Sequence, residues 1–283
     1  MKVSYYPGCS LHGTAKEYDQ SVKAVSKALG IELREVEDWS CCGATSAHST
    51  NFKLSVALPT RNLVMIEKGE DKEVMVPCAA CFNRFKSTQH YLAHDEALKK
   101  EIGGIVGRPY EGTAIVKSPI EVIHDDIGLG TIAEKVVKKL SGLKPVSYYG
   151  CLLVRPPDAC QFENTENPYM LDEIMATLGA DVRPWSYKTD CCGGSLTISR
   201  TDIVKKMVDK LMTMAREAGA NCVVTACPVC MANLDARSSE NLRLPVFYFS
   251  ELVALAFGLP GPANWFKLHM VDPMPLMGGL GLI

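Results

Sequence analysis

The sequence predicts an α/β protein built from two duplicated, Rossmann-like cysteine-rich halves with parallel sheets, related by a pseudo-twofold axis. Three observations carry this expectation. One set of cysteine motifs occurs twice, short β-type runs alternate with helical patterns, and the order of both is the same in each half of the 283 residues.

Ser4–Tyr5–Tyr6–Pro7–Gly8–Cys9 returns as Ser147–Tyr148–Tyr149–Gly150–Cys151. Cys41–Cys42–Gly43 returns as Cys191–Cys192–Gly193, and Val76–Pro77–Cys78–Ala79–Ala80–Cys81 returns as Thr225–Ala226–Cys227–Pro228–Val229–Cys230. The offset is 142 at the first cysteine and 149 to 150 at the later ones. The second half therefore carries extra residues, assigned to the Pro-rich stretch Arg155–Pro168. The halves are expected at residues 1–138 and 145–260, followed by a tail, 261–283.

Lys2–Tyr6 and Val146–Tyr149 read as short strands. Thr14–Leu29 is helical in pattern, with Val22, Val25, Ala28 and Leu29 on one face. A second helix follows each double cysteine, Ser49–Lys68 or Thr201–Ala218, and each stops at a glycine, Gly69 or Gly219. Glu73–Val76 and Cys222–Val224 are apolar strands leading into Cys-x-x-Cys. Pro119–Val122 and Pro245–Phe249 give one more strand per half, with Gly103–Gly112 and Lys139–Pro145 as connections. Strands alternating with helices imply parallel pairing through right-handed crossovers. The tail, Gly261–Ile283, is rich in Pro, Gly and Met and shows neither period; its apolar content points to docking against a partner.

Apolar residues make up 47% and charged residues 22%, the profile of a folded globular chain. With 30 Lys plus Arg against 32 Asp plus Glu, the net charge of −2 gives no footprint for nucleic acid. The first residues lack a secretory pattern, and no apolar run reaches membrane-spanning length. A cytoplasmic protein with no membrane span is expected.

Ten of the twelve cysteines fall into the two matching sets of five. Cys9, Cys78, Cys151 and Cys227 follow predicted strands directly, so loops at one sheet edge can bring them together. Each Cys-x-x-Cys is placed at a helix start, where the dipole favours thiolate. Gly43 and Gly193 fit a close backbone approach to a bulky inorganic core. Five thiolates exceed the four that tetrahedral zinc takes, and adjacent cysteines suit a multinuclear core better than one ion. A zinc site with a spare thiol and a disulfide scaffold stay open at this level.

The pattern Cys-x31-Cys-Cys-Gly-x34-Cys-x-x-Cys, given again with spacings of 39 and 33 in the second half, resembles the cysteine-rich CCG domain family. Over residues 1 to about 257 the chain is similar to the B subunits of heterodisulfide reductases; Tyr6–Pro7–Gly8–Cys9, Cys41–Cys42–Gly43–Ala44–Thr45 and Pro77–Cys78–Ala79–Ala80–Cys81 carry the likeness. The resemblance implies two non-cubane [4Fe-4S] clusters as cofactors. The first would be held by Cys9, Cys41, Cys42, Cys78 and Cys81, and the second by Cys151, Cys191, Cys192, Cys227 and Cys230. It implies an oxidoreductase that splits a disulfide homolytically between the clusters, with the coenzyme M–coenzyme B heterodisulfide as substrate in methanogens. Its partners would be the ferredoxin-like and the flavin-containing subunits of a heterodisulfide reductase, with a hydrogenase or formate dehydrogenase module. The alternative is an iron–sulfur component of a lactate-, glycolate- or glycerol-phosphate-oxidising complex that passes electrons toward quinone.

Outside the ten cysteines, His48 and His12 are the candidate catalytic acids, being close in sequence to Cys42 and Cys9. Arg84 and Arg155 are the candidate substrate-binding cations, preferred over Arg61, Lys188 and Arg200. Cys222 reads as a small hydrophobe in a buried strand. Cys160, in the extra loop, has no counterpart in the first half. His90, His94 and His269 read as surface residues, and His124 as the end of a strand.

Overall fold

The computed structural model describes residues 1–44, 47–162 and 164–283. Thr45 and Ser46, which extend the first Cys-Cys-Gly motif, lie outside the described residues. Strands β1 (Lys2–Tyr5), β2 (Glu32–Glu35), β3 (Glu73–Met75) and β4 (Ile115–Lys117) form a four-stranded sheet in the order β2-β1-β3-β4. Strands β5 (Pro145–Tyr148), β6 (Cys222–Thr225) and β7 (Val246–Tyr248) form a second sheet in the order β5-β6-β7. Every pairing is parallel, with Tyr5 opposite Met75 in one sheet and Tyr148 opposite Thr225 in the other. All residues of β5 and β6 are buried, as parallel strands covered on both faces require.

Among the described residues, the second sheet has no strand at the place of β2. Residues 181–185 begin such a strand: the N–H groups of Asp181 and Arg183 donate to the carbonyls of Leu143 and Pro145 at 2.9 and 2.8 Å. Pro184 then interrupts the run, and the indole N–H of Trp185 donates to Ser147 at 2.9 Å.

The duplication shows most clearly in how the halves exchange helices. Helix Phe249–Ala256 follows β7 but packs on helix Lys16–Ala28 of the first half. In return, the helical segment 119–135 follows β4 and packs on helix Met170–Thr177 of the second half. The first of these segments starts on a capping box between Ser118 and Glu121, and the second has the matching half of one, with Glu251 bonded to the Tyr248 N–H. His124 adds a tie across the seam, bonded to Glu173 at 2.8 Å and to Asp125 at 2.6 Å.

Several sequence expectations need correction. Pro119–Val122 is a helix and not a strand, because Pro119 sits at the first helical position after the Ser118 cap; the strand lies earlier, at Ile115–Lys117. His124 accordingly lies in the π-helical turn Val122–Ile127 and does not end a strand. Gly103 and Gly104 lie inside helix Glu96–Val106, which closes on Gly107 in the left-handed region. The tail contains helices Pro262–Trp265 and Met274–Gly279 and is folded onto its own chain: Trp265 is bonded to Gln20, and Phe266 and Met277 are buried. His269 is no surface residue. Its imidazole is fully enclosed and bonded to Glu251 at 3.0 Å.

Candidate metal centres

The carboxyl ends of the two sheets each gather five cysteines. Cys9 follows β1 and lies in the short helix Gly8–His12. Cys78 follows β3 as the cap of helix Ala79–His94, with Cys81 in its first turn. Cys151 follows β5; Cys227 follows β6 and caps helix Pro228–Arg237, with Cys230 in its first turn. The double cysteines arrive on loops, Cys41–Cys42 after β2 and Cys191–Cys192 before the turn Gly194–Leu196.

The sulfurs of Cys42 and Cys81 lie 3.1 Å apart, and those of Cys192 and Cys230 lie 3.8 Å apart. The amide of the following glycine meets the first sulfur of each double cysteine, Gly43 on Cys41 at 3.4 Å and Gly193 on Cys191 at 3.2 Å. A tyrosine stands behind each set. The Tyr6 phenol is pushed up by burial and then by Cys81, Cys42, Cys41 and Cys9, and that of Tyr148 by burial and then by Cys230, Cys192, Cys191 and Cys151. Their hydroxyls donate to the carbonyls of Ser40 and Asp190, at 2.7 and 2.6 Å, and so clamp the residue before each double cysteine. The sequence shows these tyrosines as a repeat but gives no sign of this role.

Within each set the thiols share protons. Cys42 is held well below its ordinary value by its contacts with the Cys41 and Cys81 sulfurs, and Cys192 is held below its own by contact with Cys230. Cys81 and Cys230 are pushed up by the same contacts and then by burial. Each set thus already favours thiolate at some sulfurs, the form a metal takes.

Two glycines leave room at the sulfurs. A Cβ on Gly8 would lie 3.1 Å from the Cys81 sulfur, and one on Gly150 would lie 2.7 Å from that of Cys230; both have positive φ. The role expected of Gly43 and Gly193 is different from the one observed. A Cβ there would strike Leu58 and Ala47, or Val204 and Met207, so these glycines admit the following helix and not an inorganic core. Among the described residues, no group of three or more His, Cys, Asp or Glu side chains is arranged to hold a single metal ion. Five soft donors converging per site, with a side-chain-free wall at Gly8 or Gly150, fit a multinuclear iron–sulfur core.

Each site is open at one edge and closed at the other. Cys9, Cys41 and Cys191 are exposed and Cys151 half-buried, whereas Cys42, Cys78, Cys81, Cys192, Cys227 and Cys230 are buried. The closed edges meet. The buried phenol of Tyr18 lies in the field of both Cys227 and Cys78, and its hydroxyl donates to the Ala226 carbonyl, next to Cys227, at 3.0 Å.

The remaining candidates are placed unevenly. His48 is exposed on the turn after the first double cysteine, its N–H bonded to the Gly43 carbonyl at 3.3 Å. His12 is held toward β2, 3.3 Å from Glu35 and edge-on to Trp39. The Arg84 guanidinium donates to Asn83 Oδ1 at 2.9 Å, while Arg155 is bound bidentately by Glu166 at 3.0 Å. Lys188 is buried against Asp172. Cys160 is buried beside the Asn83 amide, with its thiol pushed up to about 11 by burial, and Cys222 opens β6 fully buried.

The family model for the CCG cysteine-rich domain matches this chain twice, over residues 3–86 and 146–235. The chain is 32% identical, over 97% of its length and 99% of the relative's, to the membrane anchor of the 8-methylmenaquinol:fumarate reductase of Wolinella succinogenes. It is 26% identical, over 91% of its length and 89% of the relative's, to the B component of the ferredoxin:CoB-CoM heterodisulfide reductase of Methanosarcina mazei. Lactate utilization protein A of Bacillus licheniformis is 24% identical over 89% of this chain and 99% of that one. A hypothetical protein from Helicobacter pylori shares the fold, with a TM-score of 0.72 at 8% identity over 95% of this chain and 51% of the other. Among the described residues, no helix is long and apolar enough to cross a membrane. The repeated motif, the two sheet-edge sites and the double match agree: the chain belongs to the CCG cysteine-rich domain family.

Proposed function

We propose that this chain is the iron–sulfur component of a multisubunit oxidoreductase that reduces a disulfide. One non-cubane [4Fe-4S] cluster is held by Cys9, Cys41, Cys42, Cys78 and Cys81, and the other by Cys151, Cys191, Cys192, Cys227 and Cys230. The observation that carries this reading is the meeting of two five-thiol sites at Cys78 and Cys227, where the buried Tyr18 phenol lies in the field of both sulfurs and donates to the Ala226 carbonyl beside Cys227. Splitting a disulfide takes two electrons and leaves two thiolates, and two adjacent clusters would supply one electron each together with thiophilic iron. The protein residues do the rest. The buried cysteines keep water from the closed edges, and His48, which is exposed, would give a proton to a departing thiolate. Arg84 is the better placed of the two candidate cations, since Glu166 already neutralises Arg155. Electrons come from partner subunits of ferredoxin and flavin type, with a hydrogenase or formate dehydrogenase module behind them, in the cytoplasm.

A second reading has its own support. The Wolinella relative, matched over nearly the whole of both chains, is named for a methylmenaquinol:fumarate reductase. On that reading the same two clusters exchange electrons with a quinol. Iron and sulfide analysis of anaerobically isolated protein tests both readings, with about eight irons per chain expected. Paramagnetic resonance of the reduced protein then separates them: reoxidation by a mixed disulfide and not by a menaquinone analogue supports disulfide reduction, and the reverse supports the quinol reading. Stoichiometric zinc in place of iron would overturn both.

A further inference from the structure

Asn233 lies in helix Pro228–Arg237 and is 1% exposed. Its Nδ2 donates to the Cys192 carbonyl at 3.0 Å and reaches the Cys192 sulfur at 3.7 Å. The Cys192 carbonyl can only accept, which fixes the amide with its N–H side toward the sulfur, and Thr197 Oγ1, shared with the Gly194 carbonyl, supports Asn233 Oδ1 at 2.7 Å. Among the described residues, no side-chain amide reaches a sulfur of the first five. There Cys42 faces Cys81, and the Gly43 contact with Cys41 is matched by Gly193 on Cys191. The position equivalent to Asn233, at the offset of 149 between Cys81 and Cys230, is Arg84, which turns to Asn83 Oδ1 instead.

The two sites are therefore alike in ligands and unlike in the donors around them. Reduction adds negative charge to a cluster and its thiolates, and a hydrogen bond to a ligating sulfur stabilises the reduced form. We propose that Asn233 is a positioning residue for the second cluster, acting through the Cys192 sulfur to set that cluster's reduction potential above the first. An electron entering the chain would then rest on the second centre, reduced by one electron as the first is reoxidised by one. This rests on the iron–sulfur reading above and adds to it a direction of internal electron flow.

The test is a redox titration of the full, anaerobically prepared chain followed by paramagnetic resonance. The two signals are assigned from those altered in Cys9→Ser and Cys151→Ser. Asn233→Leu keeps the bulk and removes the donor, whereas Thr197→Val keeps the amide and removes the hydroxyl that supports its Oδ1. Asn233→Leu is expected to lower the reduced-to-oxidised ratio of the second centre about tenfold at fixed potential, or about 59 mV for a one-electron couple. Thr197→Val should give a smaller fall in the same signal, and the first signal should stay in place in both. If Asn233→Leu does not fold or load, Thr197→Val decides alone. An unmoved second signal, equal shifts of both signals, or a wild-type first centre of higher potential overturns the inference while leaving the two clusters standing. A wild-type chain without iron overturns the iron–sulfur reading, and the inference with it.

Discussion

The ring of Tyr18 lies stacked on that of Tyr248, with centroids 4.1 Å apart and planes within 3°. The two residues come from opposite halves, and the Tyr18 hydroxyl donates to the Ala226 carbonyl at 3.0 Å, just before Cys227. Ser21 and Ser250 continue the same seam with their hydroxyls 2.7 Å apart. Tyr18 thereby joins the packing of the halves to the position of a cluster cysteine. Tyr18→Ala should cost about 3–5 kcal/mol of stability as a large buried truncation. Tyr18→Phe keeps the stack and should cost about 1 kcal/mol for the lost hydrogen bond. Anaerobic denaturant unfolding of the two variants measures both; equal costs would show that the ring is not what holds the seam.

Cys81 and Cys230 occupy equivalent positions in the two sites. Replacing either by Ala should remove about half of the iron, because a cluster loses one of its ligands while the other site is untouched. Disulfide reduction driven by a chemical reductant should fall nearly to zero in both variants. Near-full activity in either one would mean that its cluster serves only to relay electrons.

Gly8→Ala and Gly150→Ala probe the space at the sulfurs. Each places a methyl within reach of a cysteine sulfur and strains a positive φ. Each should lower iron loading at its own site, with the larger effect at Gly150, where the approach is 2.7 Å against 3.1 Å at Gly8. Iron content per chain, resolved by signal, reads the outcome, and loading at wild-type levels in both would refute the proposed wall.

The tail gives a pH-dependent prediction. Burial lowers the His269 pKa, but the Glu251 carboxylate, with Asp235 and Glu17 nearby, outweighs burial and holds it above the ordinary value. A histidine raised in the folded state contributes its full stabilisation below its unfolded value, about 6.5, and loses it as pH rises through the folded value. Amide exchange at Met270 and Val271, whose N–H groups bind Asp235, should therefore quicken on the alkaline side beyond the intrinsic pH effect. His269→Gln should flatten that dependence. An unchanged profile in the variant would show that the anchor does not titrate.

Partner docking by the tail is tested best without unfolding it. Deleting residues 262–283 would uncover the surface under Trp265, Phe266 and Met277, so loss of a partner after deletion would be ambiguous. Leu268 and Met270 instead stay 59% and 74% exposed. A double Leu268→Glu, Met270→Glu variant should keep its melting temperature and lose co-purification with a ferredoxin-like partner. Retained co-purification would remove the tail from the interface.

The ten cysteines, the duplication and the strand–helix alternation are legible in the sequence because each is a local pattern. A Cys-x-x-Cys after an apolar run marks a strand end and a helix start wherever the chain goes, and both halves have this form. The Pro119 segment reads wrongly as a strand because the cap that starts its helix is a bond between Ser118 and Glu121, which an apolar count does not register. His269 reads wrongly as a surface residue because its partner, Glu251, lies in another helix and compensates the cost of burial only once the tail has folded back. The same holds at the sites. The sequence determined which sulfurs each half offers, but the side-chain donor beside them, Asn233 on Cys192, comes into place only through packing. Hydrogen bonds depend on distance and direction in space, and the exchange of helices across the seam, which no repeat period encodes, decided which groups came within reach.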